Sequence, residues 1–109
     1  MRIYIATPIN ARKGKNMREK LAAAKHRIEM LKEILSEDEQ FSDCDFLSTF
    51  DVPHSANATE ARILGNCVTA IINLDGIYLD HNWQNSKGCQ LEYRAAKIYG
   101  KMIFEHDKL

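Results

Sequence analysis

The sequence lacks the features of a disulfide-bonded or metal-binding protein. It contains three cysteines among 109 residues, an odd number with no Cys-x-x-Cys pair. This usage is typical of reduced thiols in a cytosolic protein rather than of a disulfide framework. The four histidines show no metal-ligand spacing with one another or with the cysteines. We therefore expect a cytoplasmic protein that holds no metal and no other cofactor.

Long apolar runs and a net charge are missing as well. The opening segment, residues 1–6, is too short for a signal peptide, and no segment approaches the roughly 20 apolar residues of a membrane span. Fifteen basic and fifteen acidic residues cancel. No net field would therefore attract a nucleic-acid polymer or an anionic membrane. A small molecule bound by local groups is the expected partner.

The sequence does contain an alternation of strand-like and helix-like segments. Stretches rich in β-branched and aromatic residues predict four strands, at residues 2–6, 44–50, 75–79 and 101–105. Apolar residues at helical spacing predict three helices between them, at residues 17–35, 57–73 and 86–99, with Asn16 as the first N-cap and Gly100 as the last stop. The expected inward stripes are Met17, Leu21, Ala24, Ile28, Leu31 and Leu35, then Ala61, Leu64, Val68 and Ile71, then Leu91, Ala95 and Ile98.

This alternation defines the fold class. Strands joined by helices run parallel, and right-handed crossovers cover the sheet on both faces. We predict one domain over residues 1–109, a small doubly wound α/β fold of the Rossmann or flavodoxin type. Its parallel sheet of about four strands has the order 2-1-3-4 in a three-layer α/β/α arrangement. Ligands bind such sheets outside the carboxyl ends of the strands, which directs attention to the loops at residues 6–10, 51–57 and 80–88.

The third predicted helix begins with a pattern that suits an anion. Its first residues are Ser86, Lys87 and Gly88, where free N–H groups, a hydroxyl and close backbone approach combine. Glu92 follows within two turns and could face a sugar whose phosphate rests at the helix N-terminus. The simpler interpretation from spacing alone is an ordinary N-cap serine and a solvated glutamate.

Two motifs resemble the nucleoside 2-deoxyribosyltransferase-like superfamily. The segment Tyr-Ile-Ala-Thr-Pro-Ile at residues 4–9 is similar to the family's opening Tyr-(Ile/Leu)-(Ala/Ser)-Gly-Pro. The second motif resembles a signature of a small phage and bacterial branch of mostly unassigned function; it comprises Asp-Gly-Ile-Tyr-Leu at 75–79, Trp83, Ser-Lys-Gly-Cys at 86–89, and Glu92. The match covers both ends of the chain in the correct order.

The resemblance implies a role for each matching residue. Glu92 falls on the family's catalytic glutamate, which attacks the anomeric carbon of a 2-deoxyribosyl group, and Tyr4 falls on a tyrosine near that sugar. Ser86 falls where members that hydrolyse 5′-monophosphates bind phosphate. The loop lining the sugar pocket is matched by Ala6, Thr7 and Pro8. With an ordinary pKa of about 4.3, Glu92 would be ionised at neutral pH, as a nucleophile must be.

Other residues near the predicted site have two interpretations each. Trp83 could stack on a base or pack over the third helix. Arg12 and Lys13 could reach a phosphate or form a solvated basic stretch. The sequence leaves open which group would give a proton to the departing base. The candidates are acidic and histidine residues of the rim: Asp51, His54, Asp75 and Asp80. Asp75 begins the third predicted strand, at the end away from the site, and is interpreted as a structural cap.

Two functions follow from these residues. The first is an enzyme that cleaves or transfers the N-glycosidic bond of 2′-deoxynucleosides or their 5′-monophosphates. The alternative is a non-catalytic nucleotide-binding module of the same fold. Two departures from the family pattern favour that alternative: Thr7 stands where glycine is usual, and Cys67 stands near the place of a second carboxylate, with Glu60 too early along the helix. By analogy with relatives whose pockets a neighbouring subunit completes, we expect a homodimer or larger homo-oligomer.

Overall fold

A parallel sheet in the predicted strand order forms the centre of the fold. The computed structural model describes residues 1–9 and 14–109. Its strands are β1 (Arg2–Ala6), β2 (Asp45–Leu47), β3 (Gly76–Leu79) and β4 (Met102–Glu105), and its helices are α1 (Met17–Ser36), α2 (Glu60–Ile72) and α3 (Lys87–Ile98). The sheet order is β2-β1-β3-β4 and every pairing is parallel. The predicted topology is confirmed.

Helices cover both faces of this sheet, because successive side chains of a strand point to opposite sides. Ile3 and Ile5 pack with the buried stripe of α1, whereas Tyr4 and Ala6 pack with residues of α2 and α3. Phe41, from a short turn after α1, closes the first of these two clusters. The arrangement is the predicted three-layer α/β/α fold, and it points the Tyr4 side chain toward α3.

Two predicted boundaries were wrong, and hydrogen bonds explain both. The second strand ends at Leu47 instead of residue 50, because Ser48 and Asp51 form a capping box that folds Thr49–Asp51 into a 3-10 turn. The second helix begins at Glu60 rather than near Asn57. Its N-cap is Thr59, whose hydroxyl accepts a hydrogen bond from the Arg62 N–H at 3.1 Å.

Parts of the predicted inward stripes were also wrong. In α1 the stripe is buried from Ala24 onward, but Met17 and Leu21 are exposed. In α2 the buried positions are Cys67 and Ile71, while Ala61 is exposed and Leu64 and Val68 are only partly buried. In α3 the exposed residues are Leu91 and Ile98, and the buried ones are Cys89, Glu92, Ala95 and Ala96. The inward face of α3 is built mainly from small side chains, which lets this helix approach the sheet closely and leaves its larger apolar residues exposed.

The helix ends follow the expected chemistry. Asn16 caps α1 by accepting a hydrogen bond from the Glu19 N–H at 3.0 Å. Gly100 follows α3 with a φ of +67°, the left-handed conformation that glycine adopts without a Cβ penalty. Across the described residues, none of the helices combines the length and apolar character that crossing a bilayer requires.

Candidate functional site

A cleft of about 340 Å³ lies beside β1 and between α2 and α3. Its lining includes residues from both ends of the chain and from the middle: Tyr4, Thr7, Cys67, Ser86, Gly88 and Glu92. In a sheet with this order, β1 and β3 flank the point where the connections change direction, and ligands bind there. The cleft therefore occupies the position that the fold favours for a ligand.

Glu92 and Tyr4 form the buried centre of this cleft. Glu92 lies on the inward face of α3 and is 6% exposed, and Tyr4 on β1 is 1% exposed. The Tyr4 hydroxyl donates a hydrogen bond of 2.6 Å to Glu92 Oε2. A hydrogen bond this short between a hydroxyl and a carboxyl is at the strong end of the range. The pair fixes the orientation of the Glu92 carboxyl.

Burial changes the ionisation of both groups. Loss of water around Glu92 raises its pKa from 4.5 to about 7, although the hydrogen bond from Tyr4 acts in the opposite direction. The expectation of an ordinary carboxyl pKa is therefore corrected: burial moves the titration of Glu92 toward neutral pH. Burial, and next the neighbouring Glu92 carboxyl, hold the pKa of Tyr4 well above its usual value. Tyr4 is a hydrogen-bond donor across the physiological range.

A buried thiol lines the cleft together with Tyr4. Cys67, on the buried face of α2, lies near enough to contribute to the raised pKa of Tyr4. Its Sγ also donates to Thr49 Oγ1 at 3.2 Å. Burial raises the pKa of the Cys67 thiol, so it stays protonated and is a poor nucleophile. Two hydrogen-bonded pairs, Tyr4–Glu92 and Cys67–Thr49, therefore line the same cleft.

The N-terminus of α3 forms the more polar end of the cleft. Ser86 is the N-cap, and its Oγ accepts a hydrogen bond of 3.2 Å from the Cys89 N–H. Lys87 and Gly88 also line the cleft, and the backbone N–H groups of a first helical turn have no acceptor within the helix. The predicted anion-binding turn and Glu92 therefore line the same cavity. A Cβ built on Gly88 would lie 3.9 Å from Leu64 Cδ1 and from Ser86 Oγ, which is ordinary contact.

Thr7 also lines the cleft, and its hydroxyl joins a buried ion pair. Thr7 Oγ1 donates to Asp80 Oδ2 at 2.6 Å, and Arg27 of α1 donates to both Asp80 oxygens, at 2.8 and 3.1 Å. Burial alone would raise the pKa of Asp80, but the hydrogen bonds from Arg27, Thr7 and the His81 N–H lower it to about 2. Asp80 is ionised and structural, which argues against it as a proton donor.

Three of the residues predicted to bind substrate lie elsewhere in the fold. Ala6 is buried in the core beneath α2 and α3. Pro8 lines a separate cavity of about 370 Å³ together with Arg27 and Asp80. Trp83 packs against Tyr93 with ring centroids 4.8 Å apart, and its indole N–H donates to Glu105 Oε1 at 3.2 Å. These contacts favour the packing interpretation of Trp83 over stacking on a base.

The remaining candidates for proton transfer have structural partners. Asp75 Oδ2 accepts the Arg2 N–H at 2.7 Å, as expected of a cap. Asp51 pairs with Lys32 at 3.0 Å and belongs to the capping box of Ser48. The two ring nitrogens of His54 lie 3.1 Å from the Thr49 carbonyl oxygen and 3.2 Å from Asn66 Nδ2. Asn10, Arg12 and Lys13, which belong to the first loop, lie outside the described residues.

Two contributions to the site were missed by sequence reasoning. The hydrogen-bonded pair of Thr49 and Cys67 lines the cleft beside Tyr4, and no local pattern signals this meeting of three separate elements. The Arg27–Asp80 pair had a signal: Arg27 lies between Ala24 and Leu31 at helical spacing, so a basic residue interrupts the edge of the apolar stripe of α1. Within residues 1–9 and 14–109, no group of three or more metal-ligating side chains is suitably placed for an ion.

Comparison with known proteins identifies the family and leaves the activity open. No curated protein and no solved structure gives a significant match to this chain. One protein family matches it over residues 1–105, nearly the whole sequence. The chain therefore belongs to the family described as a domain of unknown function, DUF4406.

Proposed function

We propose that this protein cleaves or transfers the N-glycosidic bond of 2′-deoxynucleosides or their 5′-monophosphates, with Glu92 as the nucleophile. The observation that carries the proposal is the buried carboxyl of Glu92, oriented by the Tyr4 hydroxyl at 2.6 Å and lining an open cleft. The resemblance of both motifs to nucleoside 2-deoxyribosyltransferase-like proteins gives these two residues the same roles.

The chemistry is a double displacement. Tyr4 engages Oε2, so Oε1 of Glu92 is the atom that would bond to the anomeric carbon as the bond from that carbon to the base breaks. The base leaves with the bonding electron pair and takes up a proton from solvent water, and a glycosyl ester of Glu92 remains. Water or a second base then attacks the same carbon, gives up a proton to solvent, and releases Glu92 as a carboxylate.

The α3 N-terminus supplies a place for the phosphate of a monophosphate substrate. Ser86, Lys87 and Gly88 line the cleft together with Glu92. A phosphate there would meet backbone N–H groups, the positive end of the helix dipole and the Lys87 side chain. Binding energy from this contact would hold the sugar against Glu92.

A specific observation supports a second candidate, a nucleotide-binding module without catalysis. The burial that raises the pKa of Glu92 to about 7 disfavours the ionised form that attack requires. Cys67, a protonated thiol, stands near the position where the resembling enzymes carry a second carboxylate. Such a module would gain thermal stability from a deoxynucleotide and would release no base over long incubation.

One experiment separates the two functions. The purified protein is incubated with deoxynucleosides, their 5′-monophosphates and the matching ribonucleotides, and free bases are measured by chromatography. We expect release from a deoxy substrate, and a loss of about 10³-fold or more in the Glu92→Gln variant, which removes the nucleophile but keeps the side-chain shape. Glu29→Gln, on the exposed face of α1, is the matched control and should retain full activity. Unchanged turnover in Glu92→Gln would exclude Glu92 as the nucleophile.

A further inference from the structure

A second cavity, of about 610 Å³, adjoins the cleft that contains Glu92. We refer to it as the side chamber. It shares four lining residues with the cleft: Ile9, Thr49, Glu60 and Ile63. A molecule seated beside Glu92 can therefore extend into the side chamber.

The walls that belong to the side chamber alone are mainly apolar. Met17 and Leu21 come from the first turns of α1, Phe50 comes from the 3-10 turn after β2, and Val52 and Pro53 follow that turn. The side chains of Met17, Leu21 and Phe50 are 50%, 37% and 39% exposed, although the α1 pattern predicts burial of the first two. Exposed apolar side chains that converge on a concave surface are typical of a ligand site.

The polar groups of the side chamber are mostly engaged within the protein. The Thr49 hydroxyl accepts a hydrogen bond from the Cys67 thiol, and the backbone carbonyl oxygen of Thr49 contacts the His54 ring. The other ring nitrogen of His54 contacts Asn66. Glu60, where the chamber meets the cleft, is its charged group. The chamber therefore offers apolar and aromatic contact more than hydrogen bonds.

We propose that the side chamber is the subsite for the nucleobase, and this inference rests on the proposed function. With the sugar beside Glu92 and a phosphate at the α3 N-terminus, the base extends toward Phe50, Met17 and Leu21. Apolar contact and stacking do not depend on a particular base edge, because every base has a π face. The subsite accepts all the common bases and binds the larger purine rings more tightly than the pyrimidines.

A second copy of this chain is the other conceivable occupant, and the geometry favours the base. The side chamber is concave and shares four lining residues with the cleft, so a group bound in the chamber would lie next to a ligand beside Glu92. A contact between two subunits does not require a cavity that adjoins the cleft.

The test uses the two halves of a substrate as separate probes. Free adenine, guanine, cytosine and thymine probe the side chamber, and 2-deoxyribose 5-phosphate probes the cleft; none of them carries the bond that is cleaved. Affinities are measured by ligand-observed NMR for the unmodified protein and for the Met17→Ser and Phe50→Ala variants. Met30→Ser is the matched control, because Met30 is on α1, is 40% exposed and is not among the lining residues.

We expect purine affinity to fall about fivefold or more in Met17→Ser and in Phe50→Ala, with no change in Met30→Ser. Affinity for 2-deoxyribose 5-phosphate should change less than twofold in all three. If the unmodified protein releases base from deoxynucleotides but both chamber variants bind purines normally, the proposed function stands and the subsite assignment is overturned. A change of oligomeric mass in Met17→Ser, with purine binding intact, also overturns it.

The two proposals can fail separately. Purine binding that depends on Met17 and Phe50, in a protein that releases no base, supports the subsite within a binding module and contradicts the enzymatic proposal. Absence of both base binding and base release contradicts both.

Discussion

As the proposed nucleophile, Glu92 would have to carry a negative charge in a place that disfavours one. Its burial keeps the protonated form more stable in the folded protein than in the unfolded chain, where the ordinary pKa of 4.5 applies. A pKa near 7 also places its titration inside the physiological range. Attack by Glu92 requires the ionised form, so the proposed reaction should accelerate as the pH rises through about 7.

The same shift predicts how stability depends on pH. The folded-state pKa of Glu92 is raised, so its contribution is fully present below pH 4.5 and is lost as the pH rises through about 7. The shift of the Glu92 pKa from 4.5 to about 7 corresponds to a change of about 3 kcal/mol in the free energy of unfolding. We expect the free energy of unfolding, measured in urea between pH 4.5 and 8, to decline relative to that of Glu92→Gln, which has no charge to bury. Parallel pH curves for the two proteins would contradict the buried titration.

Individual residues also show how much of the candidate site could be predicted from the sequence. Tyr4, Ser86 and Glu92 carry chemistry that a motif can display, and the structure brings all three to one cleft. Cys67 and Thr49 could not be joined to them in advance, because their contacts depend on how α2 and the turn after β2 pack against β1. The raised pKa of Glu92 was out of reach for the same reason, since burial is a tertiary property.

At the scale of elements, two glycines that lie within regular elements differ in the space around them. A Cβ on Gly76 of β3 would lie 3.0 Å from the Met102 carbonyl oxygen and 3.2 Å from Met102 Cβ on the neighbouring strand. A Cβ on Gly65 of α2 would meet nothing within 4 Å. The close approach of β3 and β4 therefore depends on Gly76, and that of α2 to its neighbours does not depend on Gly65.

We expect the Gly76→Ala and Gly65→Ala variants to change stability in opposite directions. Gly76→Ala should destabilise the fold by about 1–3 kcal/mol, because backbone on β4 must move. Gly65→Ala should stabilise it by about 0.5–1 kcal/mol, since alanine is the better helix former. Thermal or urea unfolding measures both, and equal effects of the two substitutions would argue against the β3–β4 contact.

The order of elements was predictable and the orientation of two helices was not. Strand-like runs separated by helical periodicity were sufficient for the sheet order 2-1-3-4, because parallel crossovers allow few alternatives. In α3 the largest apolar residues, Leu91 and Ile98, were assigned to the core, yet Cys89, Glu92 and Ala96 face it. A helix that buries a carboxyl, as α3 buries Glu92, departs from the apolar pattern on its inner face.

Across the whole molecule, the partly exposed Arg27 pairs with the buried Asp80 and ties α1 to the end of β3. Removing Arg27 leaves the buried carboxylate of Asp80 without its opposite charge. The Arg27→Ala variant should therefore lose about 3 kcal/mol of stability. Lys32 is on the same helix and pairs with Asp51, and the two side chains are 34% and 41% exposed. The Lys32→Ala variant should therefore lose less than about 1 kcal/mol of stability. Unfolding free energies measure both, and similar losses would contradict a structural role for Asp80.

We propose that the molecule is at least a dimer. Leu91 and Ile98 lie seven residues apart on one face of α3, and Ile98 is 79% exposed; Tyr99 and Met102 are exposed just beyond the helix. Clustered exposed apolar side chains are typical of an interface. Light scattering should give at least twice the chain mass of 12.5 kDa, and Ile98→Ser should lower it. Ile34→Ser, 54% exposed on α1, is the control, and a monomeric unmodified protein would contradict the proposal.

The hydrogen bond between Tyr4 and Glu92 joins residues 88 positions apart. Contacts of such high sequence separation form slowly during folding, since nearly the whole chain must be closed into a loop before they are made. A partly folded chain with only one terminal half docked cannot contain this acid–hydroxyl pair. Any turnover regained during refolding would therefore report completion of the native topology, and a proteolytic nick that releases either end would abolish the site.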